Sequence, residues 1–226
     1  MDNGLQGKRF EEDYTVEELE GIYSDIDHSV TVSVNVAIES EHRVLDLTRM
    51  EEILRNARRI ALLDCGCRTN YHNCEAPLET CINLDHHADE AITQGSNNAR
   101  EATLEETLET LRVSHEAGLV HLAYIMEGED SPGLICSCCP CCCHTLAGLL
   151  RFDLAPHILK SDQISETNLN ACTACGVCEE RCPFGARRMS DGELLYYEKQ
   201  CFGCGLCVST CPTGAIRLVE KNRNRH

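Results

Sequence analysis

Tryptophan is absent from this 226-residue chain, and aromatic residues make up only 4 % of it. Few aromatic faces are therefore available for stacking on single-stranded nucleic acid. Positive charge is scarce too. Twenty Lys+Arg stand against 37 Asp+Glu, a net charge of −17, which opposes binding to a phosphate backbone. No apolar run approaches the roughly 18 residues of a membrane-spanning helix. The opening residues, MDNGLQGKRFEEDYTVEE, lack the apolar core and cleavage-site pattern of a signal peptide. Neither a G-x-G-x-x-G loop, a Walker loop nor a nucleophile elbow occurs, so a nucleotide, flavin or acyl-transfer site has no support. These absences predict a cytoplasmic protein with no nucleic-acid partner and no membrane span. With 42 % hydrophobic and 25 % charged residues, the chain has the composition of a folded protein.

What the chain has in excess is cysteine, 18 residues in all. In a chain of this length without a secretory signal, that many thiols predict metal binding rather than a disulfide scaffold. Charge and cysteine both divide the chain near Ser165. Residues 1–165 carry 12 Lys+Arg against 30 Asp+Glu, a balance of −18, with ten cysteines. Residues 166–226 carry eight against seven, a balance of +1, with the other eight cysteines. Two domains are expected, 1–165 and 166–226, joined by a polar linker around Lys160–Thr167.

The second half contains an internal repeat. CTACGVCEERCPFGA (172–186) and CFGCGLCVSTCPTGA (201–215) superpose at an offset of 29 residues. Each reads C-x2-C-x2-C-x3-C-P. Three cysteines at intervals of three sit on one tight loop, and their thiolates can converge on three irons of one [4Fe–4S] cube. The fourth begins the next element and reaches the other cluster. The proline after it ends the loop conformation. Gly176, Gly203 and Gly205 allow close backbone approach. Zinc ribbons need a longer spacer between C-x2-C pairs, which neither repeat has.

This segment, roughly residues 168–220, resembles the two-cluster bacterial ferredoxins. The resemblance implies a small α+β fold with two [4Fe–4S] clusters. It implies Cys172, Cys175, Cys178 and Cys211 around one cluster, and Cys201, Cys204, Cys207 and Cys182 around the other. It also implies a hairpin over Arg187–Tyr197 with Asp191-Gly192 at its turn, and Phe184 and Phe202 as shields against water. Many such ferredoxins are strongly acidic, but Arg181, Arg187, Arg188, Arg223 and Arg225 leave this module near neutral. An electrostatic docking surface is expected on the acidic first half instead.

The first half alternates helical and strand patterns, which favours an α/β layer fold. Capping boxes at Thr15/Glu18, Thr48/Glu51 and Thr103/Glu106 open three helices, the second running to about Arg58 and the third ending at Gly118. A stripe of Val16, Leu19, Ile22 and Ile26 marks the first helix, and Leu104, Leu108 and Leu111 the core side of the third. Strands are expected over Val30–Ile38, Ile60–Asp64, Val120–Met126 and Leu134–Cys136. If the second and fourth of these are parallel neighbours, Cys65 and Cys136 emerge at one sheet edge, where α/β folds bind ligands.

The ten remaining cysteines are Cys65, Cys67, Cys74 and Cys81, and the run CSCCPCCC with Cys136, Cys138, Cys139, Cys141, Cys142 and Cys143. All ten are candidate metal ligands lining one site. Three readings stay open: further iron–sulfur clusters, with Cys65, Cys67, Cys74 and Cys81 as the best set; zinc, with His72, His86, His87 or His144; and thiol–disulfide redox chemistry in CSCCPCCC. Arg68, beside Cys67, has two readings, a cation that stabilises thiolate or cluster charge and, the favoured one, a surface ion-pair residue; His121 reads as a core histidine rather than a ligand. Cys65-Gly66-Cys67-Arg68, Cys74, Cys81, Gly118-Leu119-Val120-His121 and the CSCCPCCC run give this half a loose similarity to Cys-rich domains of iron–sulfur proteins from anaerobes. The expected function is an iron–sulfur electron carrier, or a subunit of an oxidoreductase complex. It relays low-potential electrons between a redox partner protein and the Cys-rich site, in a low-oxygen setting. The alternatives are a reductase acting on a disulfide or similar bond at that site, and a protein that delivers metal or clusters.

Overall fold

The computed structural model describes residues 4–24, 26–32, 35–39, 42–46, 48–152, 154 and 158–221. Helix α1 (Val16–Tyr23) opens on the expected capping box: Thr15 Oγ1 accepts from the Glu18 N–H, and the Glu18 carboxylate accepts from the Thr15 N–H. Leu19 carries its buried face, while Val16 is exposed. The strand expected over 30–38 is two strands, β1 (Ile26–Thr31) and β2 (Asn35–Glu39). Val34 lies outside the described residues, as do Arg223 and Arg225. Strand β2 pairs with β3 (His42–Asp46), and α2 (Thr48–Asn56) stops two residues short of Arg58.

Next come β4 (Ile60–Asp64), α3 (Gly66–Tyr71), β5 (Glu79–Leu84), α4 (Asp85–Gln94), β6 (Arg100–Glu101), α5 (Leu104–Glu116), β7 (Val120–Met126), β8 (Leu134–Cys138), α6 (His144–Leu150) and β9 (Ile158–Leu159). Helix α5 begins at the Thr103/Glu106 box and is followed by Gly118 at φ +88°.

Seven strands form one sheet in the order β6-β4-β5-β8-β7-β1-β9. Every pairing in it is antiparallel except β1 with β9. This corrects the expectation of parallel neighbours. Helix–strand alternation does not say whether the chain crosses over or turns back, and here it turns back. Strands β4 and β8 do run parallel, but β5 lies between them, antiparallel to both. The thiol-bearing ends of β4 and β8 therefore still share one edge.

Alternation along the strands gives the sheet two apolar faces. Leu62, Ile82, Ala123 and Ile135 pack with Leu54 of α2 and Leu111 of α5. Leu122, Tyr124 and Cys138 pack with Leu146 and Leu150 of α6, and with Phe184 and Phe202 from the repeat region. His121 is buried, as a core histidine should be, with Nδ1 3.0 Å from Ser137 Oγ and its ring stacked on His115.

The polar run at Lys160–Thr167 does not remain a linker. It contains β10 (Gln163–Thr167), which pairs antiparallel with β13 (Ile216–Glu220) near the chain's end. Between them lie α7 (Val177–Glu180), β11 (Arg187–Ser190), β12 (Glu193–Tyr196) and α8 (Leu206–Ser209). Strands β11 and β12 form a hairpin, with Asp191 (φ +52°) and Gly192 (φ +84°) at its turn. Two positive φ values in succession are what a type I′ turn demands. Arg181 fixes this region to the end of α5: its Nη2 donates to the carbonyls of His115 and Glu116 at 2.8 and 2.5 Å.

Candidate metal centres

The two repeats build two cavities. Cys172, Cys175, Cys178 and Cys211 line one. Cys182, Cys201, Cys204 and Cys207 line the other. Each cavity thus takes three thiols from one repeat and the fourth from the other. Local backbone explains the arrangement. Gly176 (φ +82°) and Gly205 (φ +81°) turn the loop into α7 and α8, which places the third cysteine of each motif on a helix and carries the fourth past its far end. At Gly203 (φ +73°) a Cβ would stand 2.2 Å from the Gln163 carbonyl oxygen, so that position also requires glycine.

Backbone N–H groups are aimed at the thiols. Ala174 N–H donates to Cys172 Sγ at 3.4 Å. Those of Thr213, Ala215 and Ile216 face Cys211, and those of Phe184, Ala186 and Arg187 face Cys182. Thiols around a space, with backbone donors and apolar walls, fit an iron–sulfur cube, whose potential such hydrogen bonds tune. Residues 171–216 match the family of the 4Fe-4S dicluster domain. That match implies [4Fe–4S] clusters within the dicluster domain, and with them an iron–sulfur electron-transfer role. No curated protein is similar enough to count as a match, so the likeness of the first half to Cys-rich domains of anaerobes gains no support.

The two cavities of the dicluster domain differ in depth. Cys175 is exposed, Cys172 and Cys211 are half-buried and Cys178 is buried, whereas Cys201, Cys204 and Cys207 are buried and Cys182 is half-buried. Burial pushes the Cys207 thiol up to about 11 and Cys204 well above its ordinary range. Phe184 and Phe202 stack at 4.2 Å between centroids and wall the deeper cavity.

In the sequence Arg187 counts only toward the module's near-neutral charge. It is 2 % exposed, and its guanidinium interacts with Cys178 of one cavity and Cys207 of the other. Nη1 donates to Thr167 Oγ1 and Nη2 to Ser165 Oγ, at 2.8 and 2.9 Å. A buried cation stabilises the more negative, reduced state of any centre beside it. Arg187→Gln should therefore lower both reduction potentials of the dicluster domain in a potentiometric EPR titration. A shift in only one potential, or none, would show that the guanidinium does not act on both.

The ten other thiols form two sets of close neighbours, which meet where Cys67 packs in one apolar cluster with Cys74, Cys139, Cys141 and Cys142. Six form a closed ring of neighbours: Cys65 with Cys67, Cys67 with Cys143, Cys143 with Cys138, Cys138 with Cys136, Cys136 with Cys81, and Cys81 with Cys65. The sheet explains the ring. Cys65 follows β4 and caps α3, Cys67 lies in the first turn of α3, Cys81 on β5 sits in register with Cys136 on β8, Cys138 follows on the same face, and Cys143 caps α6. Thiol neighbours, then burial, hold Cys138 and Cys143 well above the ordinary thiol range. His144 Nδ1 lies 3.3 Å from Cys67 Sγ, and burial pushes its pKa down to about 4. Cys136, Cys138 and Cys143 share one apolar cluster with Phe184, Phe202, Cys182 and Cys204, so the ring and the deeper cavity face the same core.

The other four, Cys74, Cys139, Cys141 and Cys142, have all their sulfurs within 4.8 Å of one another. The set Cys65, Cys67, Cys74 and Cys81 favoured from sequence is thus split, because the loop after α3 carries Cys74 away toward Cys139. His86 and His87 belong to neither group. Their Nε2 atoms share Glu129 Oε1 at 3.1 and 2.9 Å.

Arg68 is no surface residue. It is 1 % exposed, and it donates to the Ser137 carbonyl at 3.1 Å, to Thr80 Oγ1 and to Cys139 Sγ at 3.8 Å. Burial opposes its charge, yet Cys65 and Cys139 facing it hold its pKa above the usual range. Its place beside Cys67 is the sequence signal for the charge-stabilising reading, which the structure favours over the surface ion pair.

Proposed function

We propose that this chain is an intracellular electron-transfer protein of a low-oxygen setting. Its dicluster domain relays low-potential electrons between a redox partner protein and a centre built on the six-thiol ring. In this reading residues 1–165 carry the ring and residues 166–226 the relay. Cys172, Cys175, Cys178 and Cys211 hold one [4Fe–4S] cluster, and Cys182, Cys201, Cys204 and Cys207 the other. Cys65, Cys67, Cys81, Cys136, Cys138 and Cys143 hold a further iron–sulfur cluster. Each cluster supplies one-electron chemistry when bound.

The observation that carries the reading is the gradient of burial. The cavity with exposed Cys175 meets solvent, where a partner can dock. The deeper cavity shares its apolar wall with the ring. Between the cavities stand Arg187 and a small core of Cys178, Cys207, Val208, Ile216 and Leu218, which keeps water out.

Iron and acid-labile sulfide in anaerobically purified protein test this. About eight of each are expected from the dicluster domain, and more with the ring filled. Stoichiometric zinc with near-zero iron would overturn the reading.

A further inference from the structure

The geometry points to a mononuclear tetrahedral metal site at Cys74, Cys139, Cys141 and Cys142, taking one thiophilic divalent cation, zinc or ferrous iron. It goes beyond the electron-transfer reading, because it assigns these four thiols to an ion that needs no part in the relay. The argument is one of spacing. A tetrahedral ion bound by four thiolates at about 2.3 Å holds its sulfurs about 3.8 Å apart. Here Cys74 Sγ lies 3.7 Å from Cys139 Sγ and 4.0 Å from Cys142 Sγ, and Cys142 lies 3.9 Å from Cys141. All four sulfurs fall within 4.8 Å of one another.

A four-iron cube binds each ligand sulfur to a different iron, so its sulfurs stand on the corners of a larger tetrahedron. The dicluster domain provides an internal comparison. Its eight cysteines line two cavities, and among the described residues none of them joins a group as tight as this one.

The chain supports the site from outside as well. Cys139-Pro140-Cys141-Cys142 wraps three sulfurs around one point, and Cys143 N–H closes the loop on the Cys139 carbonyl at 3.1 Å. Asn73 Nδ2 donates to the Cys141 carbonyl at 3.2 Å, which ties the segment bearing Cys74 to the same loop. Four thiolates around a divalent ion leave net negative charge, and the Arg68 guanidinium 3.8 Å from Cys139 Sγ is placed to offset it.

The test is metal and sulfide analysis of the full chain, purified without oxygen, beside Cys74→Ser and Cys142→Ser. The expected result is one zinc per chain, or one iron in excess of sulfide, that each variant loses while its remaining iron and sulfide stay at the wild-type level. Loss of iron and sulfide together in equal amounts would overturn the proposal in favour of a cluster. Unchanged metal content in the variants would overturn it outright. Should the variants fail to fold, X-ray absorption on the wild-type protein serves instead. For zinc the expected shell is four sulfurs at about 2.3 Å with no second metal. For iron, Mössbauer spectra should contain a single high-spin tetrathiolate site. A neighbouring metal in the zinc spectrum, or neither signature, overturns the assignment.

Discussion

Cys182→Ala is expected to empty the cavity of the opposite repeat. Cys182 belongs by sequence to the first motif, but it lines the second cavity with Cys201, Cys204 and Cys207. The reason is mechanical. Gly176 starts α7, Cys178 sits on that helix facing the first cavity, and the chain leaves its far end before reaching Cys182. The variant should lose about four iron and four sulfide, half of the dicluster domain's content. Cys211→Ala should lose the same amount from the other cavity. The reduced wild-type protein should show magnetic interaction between two neighbouring paramagnets, and each variant a simple isolated signal. The decisive comparison is with Cys175→Ala. Under crossed ligation it resembles Cys211→Ala and not Cys182→Ala. Spectra of Cys175→Ala that coincide with those of Cys182→Ala would mean that each repeat holds its own cube.

Arg68→Leu should destabilise the metal-loaded protein by about 3–5 kcal/mol, the range for stripping one partner from a buried charge pair. The guanidinium is 1 % exposed, and its hydrogen bonds go to Ser137 O, Thr80 Oγ1 and Cys139 Sγ rather than to a carboxylate. The groups positioned to balance it are the thiols of Cys65, Cys139 and Cys138. They balance it only as thiolates, the form in which metal holds them. In metal-depleted, reduced protein the same substitution should cost less, because there Cys65 and Cys138 are held above the ordinary thiol range and Cys139, the thiol that its neighbours hold below it, is the one anion left facing the guanidinium. Denaturant unfolding of both forms under anaerobic conditions measures the difference. An equal loss in the two forms would reduce Arg68 to packing of its alkyl stem.

How much of this was legible in the sequence depended on range. The repeat, the I′ turn at Asp191-Gly192 and the boxes at Thr15 and Thr103 are local, and each took the form its residues dictate. Sheet direction is not local. The runs 60–64 and 134–138 read alike whether or not a third strand lies between them, so β5 was invisible. Spacing also could not assign Cys74. Its place is set by a loop that meets Cys139 some 65 positions away, a pairing that only folding creates. The burial of Arg68 and Arg187 was illegible for a related reason. A burial-blind count treats every arginine as wet, and these two become special only when the sheet and the hairpin close over them.

The uneven burial of the two ferredoxin-type loops sets an order of damage in air. Molecular oxygen arriving from bulk solvent meets Cys175 first, while the paired phenyl rings of Phe184 and Phe202 stand in its way to the inner loop. Brief aeration should bleach the outer chromophore ahead of the inner one, leaving a half-charged protein whose surviving iron is the portion closest to the large sheet.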